Sequence, residues 1–174
     1  MLSNRSAGWL WATALVLLLI IYLRWLAPAV SPYAGGSDTS GYLWSARLFS
    51  QGTLSVPIAV PESFPVDRVD RQVFMPLGGR IRQSPMSLVP TYPTGLPLHV
   101  AAAELFLPDE VAVKTVLLLT AIGTLGLLFL LAREAGLPRL WAAAASLTLA
   151  LSPLFLFIAV QPFSDVLATL WGTL

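Results

Sequence analysis

Three apolar runs, Trp9 to about Ala29, Val113 to Ala132 and Leu140 to Val160, constrain this chain more than any motif does. Each is close to the roughly 20 residues that an α-helix needs to cross about 30 Å of hydrocarbon. The composition agrees, with 56% hydrophobic and 11% charged residues and a mean hydropathy of +0.77, outside the range of soluble domains. The pattern predicts an all-α polytopic membrane protein: three full transmembrane helices (1–30, 113–132, 140–160) plus the start of a fourth at 166–174. In the first run Arg24 lies near the edge with Trp25 and Trp9 as interfacial anchors, and the segment reads as a retained helix rather than a signal cleaved after Ala27-Pro28-Ala29. Val166 to Leu174 spans about 14 Å as a helix, too short to cross, so the natural protein is expected to continue and this part alone to be inactive.

The short connection 133–139 carries Arg133 and Arg139, which mark a cytoplasmic face by the positive-inside tendency. Arg5 then lies inside by parity, and the segment 31–112 lies outside. Asp38 and Asp165, each just after an apolar run, emerge together on that outer side, the second in the turn 161–165. The thirteen residues of GLPLHVAAAELFL (95–107) are too few to cross and predict an interfacial helix. A second such helix is predicted over about 38–51, with Asp38 or Ser37 as N-cap, Tyr42, Leu43, Ala46 and Phe49 on an apolar face widened by Trp44 and Leu48, and Gly52 as its stop. The proline-rich middle from Pro57 to Pro90, with the turn LGGR, reads as an ordered loop or short strands. Gly35 and Gly36 are read as permitting close backbone approach beside Asp38.

Several chemistries are excluded. A net charge of +1 without a basic cluster argues against nucleic acid, and the absence of cysteine removes disulfides, thiolate metal sites and a Cys nucleophile. There is no GxxxxGK[ST], no GxGxxG after a strand and no GxSxG, and one histidine cannot supply HExxH. His99 and Glu104 sit about 140° apart on a helix and do not share a face, so His99 reads as an interfacial polar residue. Asp67 and Asp70, interleaved with Arg68 and Arg71, read as a solvated charged loop. For Asp38 and Asp165, helix capping and chemistry stand at even odds on pattern alone. Charged residues at membrane edges tilt the balance toward function.

Taken in order, GGSDTSGYLWSARLFSQGTLSVP, VPTYPTGLPLHVAAAELF and the stretch from LAREAGLPR to QPFSDVLATLWGTL resemble the N-terminal part of bacterial membrane glycosyltransferases of the GT-C superfold, the group with protein mannosyltransferase-like and aminoarabinose-transferase-like enzymes. That group's first outer loop opens with an acidic residue followed by a Tyr and an interfacial helix, runs on to Tyr-Pro-x-Gly-x-Pro, and is followed later by Ser-Asp or Thr-Asp before a span. Asp38, Tyr42, Tyr92 to Pro97 and Ser164-Asp165 match in order, with Thr94 standing where a second Pro is usual.

The resemblance implies an enzyme of the bacterial cytoplasmic (inner) membrane, multi-pass, with an extracytoplasmic active site. It would move a hexose or pentose, with inversion, from a polyprenyl-phosphate donor to an acceptor hydroxyl on a lipid, glycan or protein, among membrane lipids. Asp38 is the expected general base and Asp165 a second catalytic or supporting carboxylate. Tyr42, Arg47, Tyr92 and Gln161 are the expected substrate-binding residues, with Arg47, Arg80 or Arg82 offsetting the leaving phosphate. Mg²⁺ or Mn²⁺ held by Asp38 and Asp165 is compatible with this chemistry. The rival reading is a non-enzymatic polytopic membrane protein, a transporter or assembly subunit, in which the two aspartates cap helices.

Overall fold

A computed structural model describes residues 4–58, 75–76, 78–83 and 86–174. Asp67, Arg68, Asp70 and Arg71 lie outside the described residues, as do the side chains of Arg5 and Trp9. The helices among those described are α1 (Asn4–Leu26), α2 (Ser37–Ser50), α3 (Gly95–Glu104), α4 (Asp109–Glu134), α5 (Arg139–Ala150), α6 (Pro153–Ala159) and α7 (Asp165–Thr173). Three short strands, β1 (Val56–Pro57), β2 (Gly79–Gln83) and β3 (Met86–Pro90), form an antiparallel sheet in the order β1-β3-β2. Ile81 pairs with Leu88 and Arg80 with Val89.

Two parts of the predicted fold class are corrected. The chain is not all-α, because the segment between α2 and α3 contains the sheet. Nor do the described residues contain three full spans: α4 is the one helix among them long and apolar enough on its own to cross a membrane. Its run holds no proline, opens on Asp109 and Glu110 and closes on Arg133, charges placed to favour the helix dipole. It stops at Gly136, where φ is +86° and the Leu137 N–H reaches back to the Ala132 carbonyl, a turn that favours glycine.

The run predicted as the third span breaks instead. Proline has no N–H to give Leu149 and its ring collides with that carbonyl, so Pro153 cannot continue α5 and becomes the first residue of α6. The two helices meet at 64° and would count as a span only if taken together. In the first helix the fully described apolar part, Thr13–Ala29, is by itself shorter than a span, and it ends beyond Arg24 in a turn of 3-10 helix that contains Pro28.

One core ties the helices together. Tyr42, Leu43 and Ala46 of α2 meet Leu96 and Val100 of α3, Val113, Val116, Leu117 and Ala121 of α4, Phe155 of α6, and Val166 and Leu167 of α7. Leu96 and Val100 are each 1% exposed, so truncating either to Ala removes a fully packed side chain, at about 2–5 kcal/mol for the leucine. Outward-facing Leu119, Leu130, Leu140, Trp141, Leu154 and Phe157 leave an apolar exterior larger than a water-facing surface normally shows.

The helix predicted to lie on the membrane by one face is covered on two. Thr39, Gly41, Ser45 and Leu48 are buried along with Tyr42, Leu43 and Ala46, and Gly41 lies against Gly78 at the edge of the sheet. Trp44 faces Gly79 at the start of β2. Ser45 is tolerated inside because its Oγ donates to the Gly41 carbonyl at 2.6 Å.

Candidate active site

Asp38 does not cap its helix. Gly36 is the N-cap, in an extended conformation that any residue adopts, and Asp38 is the second residue of α2. Thr39 does the capping work: its Oγ1 accepts the N–H groups of Gly35 and Gly36, both at 2.9 Å, and donates to the Gly36 carbonyl at 3.1 Å. Ser40 Oγ adds a bond of 2.6 Å to the same carbonyl. With those backbone groups satisfied, the Asp38 carboxylate is released from structural duty at a helix N-terminus, where negative charge is favoured.

One of its two partners comes from afar and the other is its neighbour. Asp38 Oδ1 accepts the Tyr92 hydroxyl at 2.5 Å and the Ser37 hydroxyl at 3.1 Å, and Oδ2 makes no hydrogen bond among the described residues. The Tyr92 ring lies 5.1 Å from that of Tyr42, tilted by 45°. The Tyr42 hydroxyl and Ser164 Oγ share a 2.7 Å hydrogen bond, which carries the network to the residue before Asp165. The hydrogen bond with Asp38 is the main reason that the Tyr92 phenol is held above the usual tyrosine range, since ionising it would set two anions side by side.

Two glycines make room for this arrangement. Gly41, inside α2, and Gly78, with φ +80°, face each other and the Tyr92 ring; a Cβ on either would run into that ring and into the other glycine's Cα. The cradle explains why LGGR carries glycine where it does. Gly35 and Gly36, in contrast, were expected to permit close approach beside Asp38. A Cβ on Gly36 would meet nothing within 4 Å, and one on Gly35 would make ordinary contact with Gln161 Oε1 at 3.5 Å.

Of the residues singled out from sequence, Asp38, Tyr42 and Tyr92 come together directly. Asp165 is exposed at the first position of α7, next to Ser164, and is not an N-cap either. Gln161 donates to the Phe157 carbonyl at 3.2 Å and lies against Gly35, at the same end of α2. Arg47 is elsewhere: nine residues beyond Asp38 on one helix, it stands about 13 Å farther along the axis and about 180° around it. Arg80 and Arg82 are exposed on β2, which begins one residue after Gly78.

Asp165 was expected where a span leaves the bilayer. The first turn of α7 packs instead beside the middle of α4, where Thr124 Oγ1 reaches the Val166 carbonyl at 3.3 Å. The break at Pro153 is the cause, since it turns the chain aside before the preceding run has covered the length of α4.

No group of three or more His, Asp or Glu side chains able to hold a metal occurs among the described residues. One or two carboxylates with waters and substrate phosphates are the ordinary donor set for Mg²⁺, so Asp38 and Asp165 would be the residues to supply them. Sequence reasoning passed over Thr39, Gly41 and Gly78. A glycine inside a helix, costing about 1 kcal/mol against Ala, was the signal for Gly41. No family model, curated protein or solved structure matches the chain.

Proposed function

We propose that the chain forms part of a membrane glycosyltransferase that moves a sugar from a polyprenyl-phosphate donor to an acceptor hydroxyl, with Asp38 as the general base. The observation that carries the reading is the convergence of separate motifs: Tyr92, 54 residues from Asp38, binds its carboxylate, and Ser164, 122 residues from Tyr42, binds that tyrosine. Helix capping, the bland explanation, does not account for Asp38, which lies two residues past the Gly36 N-cap, and Asp165 likewise follows the N-cap position, Ser164.

The chemistry follows from the free oxygen. An acceptor hydroxyl gives its proton to Asp38 Oδ2 as its oxygen attacks the anomeric carbon from the side opposite the phosphate. The C–O bond to the phosphate breaks, the configuration inverts, and polyprenyl phosphate departs as a stable anion without needing a strong general acid. Arg80 and Arg82, exposed on the strand that follows Gly78, are the cations proposed to meet that phosphate, with Arg47 at the far end of α2. Asp165, next to Ser164, would be a supporting carboxylate. By the positive-inside tendency, Arg133 and Arg139 put the C-terminal end of α4 in the cytoplasm and its Asp109 end outside the cytoplasmic membrane.

The test is Asp38→Asn in the intact protein, assayed with a panel of polyprenyl-phosphate-linked hexoses and pentoses. Transfer should fall by at least about a hundredfold while thermal unfolding stays unchanged, because Asn cannot take the proton and the cap is not disturbed. Retained transfer would remove Asp38 from the chemistry.

A further inference from the structure

We propose that Tyr92 is a positioning residue for the Asp38 carboxylate, tying down Oδ1 so that Oδ2 alone is presented to the acceptor. The proposal rests on the glycosyl-transfer reading of Asp38 and adds a role for a residue that does not itself meet the reacting atoms.

An exposed aspartate ordinarily rotates about χ1 and χ2 and offers either oxygen to solvent. Here one oxygen receives two hydroxyl donors, from Tyr92 at 2.5 Å and Ser37 at 3.1 Å, while the other has none among the described residues. A donor can fix a carboxylate only if it is fixed itself. The Tyr92 ring is: Gly41 and Gly78 close on it, and Tyr42 lies against it at 5.1 Å. Tyr42 is 7% exposed and is held in turn by Ser164. The position of the Asp38 oxygen is therefore set by α7 and the sheet as well as by α2.

A tyrosine needed only to fill space would not require its hydroxyl, and replacement by Phe would cost nothing at the site. The raised Tyr92 phenol agrees with a donor role, since the group stays protonated, and able to donate, throughout the neutral range.

Tyr92→Phe in the intact protein keeps the ring and removes the donor. The expected result is a fall in kcat for sugar transfer of about tenfold with KM unchanged, since the carboxylate spends less time in the productive orientation. The second readout is the ¹³C NMR signal of the Tyr92 Cζ carbon, assigned by its loss in Tyr92→Phe. It should titrate above the usual tyrosine range in the wild type and move down toward that range in Asp38→Ala. An unchanged kcat in Tyr92→Phe overturns the proposal. So does a Tyr92 signal that titrates normally and ignores Asp38→Ala. If Asp38→Asn retains transfer, the glycosyl-transfer reading fails and the positioning role fails with it, while the NMR titration still decides whether the bond exists.

Discussion

At its N-terminal end, α2 is held by hydroxyls from distant parts of the chain, while at its C-terminal end Arg47 borders an open cavity of about 510 Å³ shared with Tyr33, Glu104, Asp109 and Glu110. The first end contains one charge with defined hydrogen bonds. The second contains more charges and fewer bonds: Tyr33 donates to Glu110 Oε1 at 2.7 Å, and both residues are exposed. Solvent-exposed charges attract one another weakly and pay side-chain entropy to hold one geometry, so number does not confer order. A carboxylate is held in place by short bonds from donors that are themselves packed. The N-terminal end has those donors, and for that reason the chemistry is assigned there.

Substitutions at the two ends should separate them sharply. Gly78→Ala is expected to have the largest effect, about 3 kcal/mol by chemical denaturation, because the added carbon meets both the Tyr92 ring and the Gly41 backbone at a positive φ. Gly41→Ala should cost somewhat less, about 1–3 kcal/mol offset in part by the helix preference for Ala, and should abolish transfer with Asp38 intact. Tyr42→Phe comes next, at about 1 kcal/mol, for the lost bond to Ser164.

At the other end the expected effect is small and depends on pH. Burial pushes the Glu104 carboxyl above the usual carboxylate range, so the folded state holds its proton more tightly than the unfolded state does. The stability this gives is fully present below the unfolded value of about 4.5 and is lost as pH rises through the folded value. Glu104→Gln should therefore be neutral to slightly stabilising at pH 7, with the gain vanishing below about pH 4; urea titrations at both pH values measure it. A large loss at pH 7 would mean that the cavity end is as tightly built as the Tyr92 end.

How much of this was legible in the sequence varied from element to element. Helix α4 was plain, because an uninterrupted apolar run with acid at one end and arginine at the other leaves little alternative. The run after it has similar hydropathy, but a hydropathy sum does not register that a single proline forfeits a hydrogen bond and collides with the carbonyl four residues back. Strands β2 and β3 were anticipated only as short strands or loop, since GRIRQ and MSLVP are too brief for alternation to stand out. The aspartates and tyrosines of the site could be picked out by their order along the chain. The bond between Tyr92 and Asp38 could not, because it depends on two glycines bringing two backbones together. That Arg47 lies opposite Asp38 was available from helical geometry alone.

The fracture at Pro153 is mended from an unexpected quarter. Tyr22 of α1 extends its hydroxyl to the Ala150 carbonyl at 3.3 Å, across 128 positions of chain, and the Ser31 N–H meets the Val160 carbonyl at 2.8 Å. The opening helix and the extended residues just after it thus act together as a splint, one bond on either side of the bend and the seven residues of α6 between. Whatever shifts that splint alters the angle at which the chain is delivered to Ser164, and with it the setting of a carboxylate that the splint itself does not touch.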